Sequence, residues 1–154
     1  MEHEDDRGVA WSWPTLLRFV EHCLDARKGG RVATWETVWK VLRALPGTEQ
    51  GLLHGNPAVR VRGRPVAYLP SNARSRPLHA PDHEEFLVVR CDLAERAALL
   101  AQDPETFFVT PHYQTYPGVI VRLATVRPDQ LRELLTEAWR LVAPKRLVRE
   151  LDDT

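Results

Sequence analysis

The chain predicts an α+β fold: an antiparallel sheet with helices packed on one face, preceded by a helical extension. Three observations carry this. Apolar residues recur at spacings of three and four in several segments. The extended runs between them are adjacent or joined by links too short for parallel crossovers. Paired glycines at Gly29 and Gly30 separate the first helical segment from the rest.

Composition bounds the reading. A chain of 154 residues, 44% apolar and 27% charged, is one soluble globular domain rather than a disordered segment. No run approaches the length that spans a bilayer, so no membrane partner is expected. The start, Met1-Glu2-His3-Glu4-Asp5-Asp6, is acidic where a secretion signal is basic and then apolar, which points to the cytoplasm. Cys23 and Cys91 lie far apart and read as reduced, packed thiols. Net charge is zero, but residues 34–150 hold sixteen cations and thirteen anions, a net of plus three. A monomer is the expectation.

Residues 1–33 form the extension. Trp13, Leu16, Leu17, Val20, Cys23 and Leu24 give an amphipathic helix from about Trp13 to Arg27, with Pro14 in its first turn. The main domain then runs over 34–151. Thr34 caps a helix whose stripe is Trp35, Val38, Val41, Leu42 and Leu45, stopped by Pro46-Gly47. Ala58–Arg62 and Pro65–Leu69 alternate around Gly63-Arg64, a hairpin with glycine first in the turn. Residues 70–84 are a proline-rich loop, and Phe86–Cys91 is a strand. Asp92 opens a short helix, with Glu95 placed for a capping box. Phe107–Val109 and Val119–Thr125 are further strands. Pro128 starts the longest helix, with stripe Leu131, Leu134, Leu135, Ala138, Leu141 and Val142; Pro144 ends it, and Lys145–Leu151 adds a turn or two.

Alternation sorts side chains by face. A turn at Gly63-Arg64 pairs Val61 with Val66 and Val59 with Tyr68, all facing the helices. Arg60 and Arg62 then face away, joined by Arg90 and Arg122 from the later strands. Arg64 sits at the hairpin tip, with Arg74 and Arg76 in the adjoining loop. Guanidinium groups so placed can grip phosphates bidentately and stack on bases. The plainer alternative is that their stems cover an exposed sheet while their heads stay hydrated.

Catalytic and metal signatures are absent from the sequence. His79 and His83 are four apart, but in a proline-rich loop, where helical spacing has no meaning. No nucleophile, base and oxyanion donor assemble, and Cys91 falls within a strand. The expectation is a non-enzyme with no metal and no cofactor. Between Phe107 and Tyr116 lie four aromatics and His112, read as a plug for the core, with base stacking as the alternative.

Several segments together resemble the MmcQ/YjbR-like family over about residues 34–151. They are Thr34-Trp35-Glu36-Thr37-Val38, Ala44-Leu45-Pro46-Gly47-Thr48-Glu49, His54-Gly55-Asn56-Pro57-Ala58, Asp103-Pro104-Glu105-Thr106-Phe107-Phe108, Thr110-Pro111-His112-Tyr113 and Leu135 through Arg146. The resemblance implies a frataxin/CyaY-like fold. It also implies DNA binding through a winged arrangement, with Arg60, Arg62 and Arg64 on a wing and Lys145 and Arg146 as nearby phosphate contacts.

Three functions therefore stand open. The first is a DNA-binding or regulatory protein using Arg60, Arg62, Arg64, Arg90, Arg122, Lys145 and Arg146, with weak, salt-dependent affinity. The second is a protein-interaction module using the same face or the N-terminal helix. The third is a small-ligand pocket near His54, His112 and Tyr113.

Overall fold

The computed structural model describes residues 2–4, 10–12, 32–70 and 85–153. Contacts divide the chain into two units, Met1–Val32 and Ala33–Thr154. In the first, strands β1 (Glu2–Glu4) and β2 (Ala10–Ser12) pair antiparallel, with His3 opposite Trp11. Three-residue strands are too short to leave a periodic signal, and the sequence reading did not name them. The expected helix at 13–27, the glycine linker and the loop residues Arg74, Arg76, His79 and His83 lie outside the described residues.

The second unit is an α+β sandwich. Helix α1 (Trp35–Leu42) follows Thr34, whose N–H donates to Thr37 Oγ1 at 3.2 Å. It ends three residues before Leu45, where the stripe predicted it to stop. The Thr48 hydroxyl donates to the Leu42 and Leu45 carbonyls at 2.9 and 3.1 Å, supplying partners for acceptors that the helix end leaves open.

Strands β3 (Thr48–Leu53), β4 (Asn56–Val61), β5 (Arg64–Tyr68), β6 (Phe86–Arg90), β7 (Phe107–Phe108) and β8 (Gly118–Arg122) form one sheet in the order β3-β4-β5-β6-β8-β7. All its neighbours pair antiparallel. Strand β3 was not expected from the sequence. It is an edge strand with Leu52 63% exposed, so its residues carry no strict apolar alternation.

The hairpin turn differs from the expected one. Val61 pairs with Arg64, so the two turn residues are Arg62 and Gly63, with φ of 53° and 78°. Two successive left-handed residues make one of the two turn types whose twist matches that of the flanking strands. This placement moves the partner of Val61 by two positions, from Val66 to Arg64, and so leaves the faces of β5 unchanged. A bulge then switches the faces: Val59 pairs with Ala67 while Arg60 pairs with Pro65, leaving Val66 as the extra residue. Val59, Val61 and Val66 therefore all reach the core, but Tyr68 goes to the opposite face.

Helices α2 (Leu93–Gln102), α3 (Pro128–Val142) and α4 (Lys145–Asp152) complete the unit. Between the sheet and α3 lie Leu87, Val89, Val119, Val121, Leu131, Leu135 and Ala138, all fully buried. Leu141, placed in the predicted stripe, is 52% exposed, while Trp139 is fully buried and donates its indole N–H to the Pro46 carbonyl at 2.9 Å.

Candidate nucleic-acid interface and adjoining cleft

The sheet face turned away from α3 is not bare. Phe86, Val88 and Ile120 form a second apolar cluster there, closed by Tyr113 from the 3-10 turn Pro111–Tyr113. Tyr68, Phe108 and Tyr116 pack around it. The aromatic tract thus divides: Phe107 enters the main core, whereas Phe108, Tyr113 and Tyr116 cover the second face.

The three tyrosines of the chain meet on this face. Tyr116 stands edge-on to Tyr68 and Tyr113, with ring centroids 6.4 and 5.9 Å away. The Tyr68 hydroxyl donates to that of Tyr113 at 3.4 Å. Burial, then this contact and the neighbouring phenols, hold the Tyr68 hydroxyl well above the ordinary phenol range.

Arg96 on α2 holds this covering segment in place, and sequence reasoning missed it. One guanidinium nitrogen, Nη1, donates to the carbonyls of Tyr116 at 2.9 Å, Gly118 at 3.2 Å and Tyr113 at 3.4 Å. The other, Nη2, donates to Gln114 at 2.9 Å. Nothing in the sequence signals this, because the acceptors are backbone atoms seventeen or more residues away.

Three of the four arginines expected to face away are on this side of the sheet, but not as a single row. Arg90 lies over the Tyr116 ring at 5.8 Å, and Arg122 lies over Phe86 at 5.6 Å, at the opposite end of the sheet. Arg60 is half-buried, with Nη1 beside Gly51, where a β-carbon would come within 3.5 Å. Arg62 belongs to the turn rather than the face; it and Arg64 are exposed at the hairpin tip.

Lys145 and Arg146, both exposed, open α4. Gly47 shows where that helix begins. A β-carbon on Gly47 would fall 2.7 Å from Leu147 Cδ1 and 3.6 Å from Val61 Cγ1, so α4 starts beside the turn end of the hairpin. The strand register gathers Arg60, Arg62, Arg64 and Arg90 toward one end of the sheet and leaves Arg122 at the other, and the approach of Leu147 to Gly47 brings Lys145 and Arg146 to the first of these ends. Among the described residues none of those six forms an ion pair with a carboxylate.

His54, His112 and Tyr113 also come together. They border a cleft of about 290 Å³, with Asn56, Tyr68 and Leu69 among its other walls. His54 and Gly55 form the tight turn between β3 and β4, with φ of 51° and 83°. The His112 ring stands edge-on to Tyr113 at 4.9 Å. Among the described residues no carboxylate lines this cleft.

Cys91 is buried, and its thiol donates to the Asp92 carbonyl at 3.4 Å. Burial, with the Glu95 and Asp92 carboxylates adding to it, pushes the thiol up to about 11. Among the described residues no three His, Cys, Asp or Glu side chains are grouped to hold a metal, and no helix is long and apolar enough to cross a membrane.

Known proteins share this architecture. The YjbR family model matches residues 43–141. Uncharacterised proteins of Mycobacterium bovis and Mycobacterium tuberculosis are each 36% identical over 122 residues, covering 77% of this chain and 95% of theirs. The crystal structure of Deinococcus radiodurans protein DR2400, which carries the domain DUF419, superposes with a TM-score of 0.60. At 20% identity it covers 79% of this chain and 89% of its own, a likeness of fold. On the family match and on the mycobacterial relatives, this chain belongs to the YjbR family.

Proposed function

We propose that this chain is a non-catalytic DNA-binding protein that grips the phosphate backbone with the β4–β5 hairpin and the start of α4. The observation that carries this reading is the collection of Arg60, Arg62, Arg64, Arg90, Lys145 and Arg146 at one end of the sheet, without ion pairs among the described residues. Cations that are already paired gain little from a phosphate. Unpaired ones release the counterions of the nucleic acid on contact, which drives association. The hairpin tip is suited to this work, because Arg62 and Arg64 flank Gly63 and all three are exposed. The non-catalytic part is supported by the protonated, buried Cys91 thiol and the raised Tyr68 phenol, neither of which is poised as a nucleophile at neutral pH.

Fluorescence anisotropy with a labelled duplex, across a salt series, tests the proposal. Binding of roughly 10⁻⁴ to 10⁻⁶ M at physiological salt is expected, weakening steeply as salt rises. Replacing Arg62 and Arg64 by Gln lowers the slope of log affinity against log salt by about 0.9 for each lost phosphate contact. A trace that stays flat at high protein concentration and low salt overturns the reading.

A further inference from the structure

We infer that the cleft between the β3–β4 turn and the 3-10 turn receives one unstacked base, so that this protein prefers single strands to duplex. The inference rests on the nucleic-acid reading above and adds a substrate class to it. Its walls combine what a base requires. Tyr68, Tyr113 and His112 provide ring surfaces. Asn56 provides an amide that both donates and accepts, and the imidazoles of His54 and His112 each offer a donor and an acceptor when neutral. Among the described residues no carboxylate lines the cleft to repel a nucleotide's charge.

Size selects among occupants. Pockets for drug-sized ligands and cofactors run from about 300 to 1,000 Å³. At about 290 Å³ this cleft falls just below that range, suited to one ring system rather than an extended cofactor. Position selects further. Asn56 and Arg60 lie four residues apart on β4, about 13 Å, within reach of a strand whose phosphates engage Arg60. Arg90, stacked on Tyr116, flanks the same tyrosine group. A base paired inside a duplex cannot enter such a cleft, whereas an unpaired one can turn out of its stack and lie against aromatic rings.

The test compares a labelled single strand with the duplex of the same sequence by anisotropy, using the full chain and its His112→Ala variant. His112 is exposed, so the substitution spares the core. Thymidine monophosphate, titrated against the histidine C–H resonances of the unaltered protein, gives a readout that needs no variant. The expected result is single-strand binding at least about five-fold tighter than duplex binding, a margin that His112→Ala removes. The His54 and His112 resonances should shift together on nucleotide addition. Equal affinity for both forms, or a margin that survives His112→Ala, overturns the base cleft and leaves backbone binding standing. Binding to neither form overturns both readings.

Discussion

The Arg96 guanidinium donates to the Tyr116 carbonyl at 2.9 Å, linking helix α2 to the aromatic segment that covers the second sheet face. The same side chain reaches the carbonyls of Tyr113, Gln114 and Gly118, so one planar fork ties together the successive turns of that stretch. The ring positions of Tyr113 and Tyr116, and hence one wall of the cleft, depend on that anchor.

Arg96→Lys is expected to destabilise the protein by about 2 kcal/mol, because a single ammonium cannot replace a fork spread over several carbonyls. Chemical denaturation measures the loss. Hydrogen exchange at residues 113–118 should accelerate more than exchange in α3.

Gly118→Ala tests the packing beneath Tyr116. The added β-carbon would fall 2.7 Å from the Tyr116 ring and 2.9 Å from the Val89 carbonyl. The ring can swing aside, but the carbonyl is held where Val89 pairs with Val119. A cost of about 1–3 kcal/mol is expected in thermal or denaturant unfolding.

Trp139→Phe removes the only donor the indole ring carries and leaves a void beside α1. The Pro46 carbonyl loses its partner, and the fully buried site cannot refill from solvent without cost. A loss of about 2 kcal/mol or more is expected from equilibrium unfolding.

Cys91 predicts a pH dependence. The folded thiol titrates at about 11 against an ordinary value of 9.0, so between these values the folded chain holds a proton that the unfolded chain has released. The stabilisation is whole below pH 9 and is lost as pH rises through 11. The stability margin of the wild type over Cys91→Ala should therefore shrink across that window. At neutral pH, peptide-resolved alkylation should leave Cys91 unmodified until the protein unfolds.

Much of the fold was legible because its signals are local. The stripe of α3, the run Phe86–Cys91 and the caps at Thr34 and Asp92 each depend on spacing within a few residues, and Asp92 does accept from the Ala94 N–H at 3.0 Å. Strand β3 escaped because an edge strand owes its existence to β4 rather than to its own pattern. The turn falls one residue earlier than expected, since the sequence admits glycine at either turn position.

By itself the sequence determined that Val59, Val61, Val66, Leu87, Val89, Val119 and Val121 are buried against the helices, and that Arg60, Arg90 and Arg122 turn the other way, because alternation is a local property of an extended backbone. Only tertiary structure decided what covers that second face and which cations are neighbours. Tyr68 reached it through a bulge, Tyr113 and Tyr116 through carbonyls bound by a distant arginine, and Lys145 approached the hairpin through the space at Gly47. Those placements depend on hydrogen bonds and contacts between residues far apart along the chain, which no short window of sequence contains.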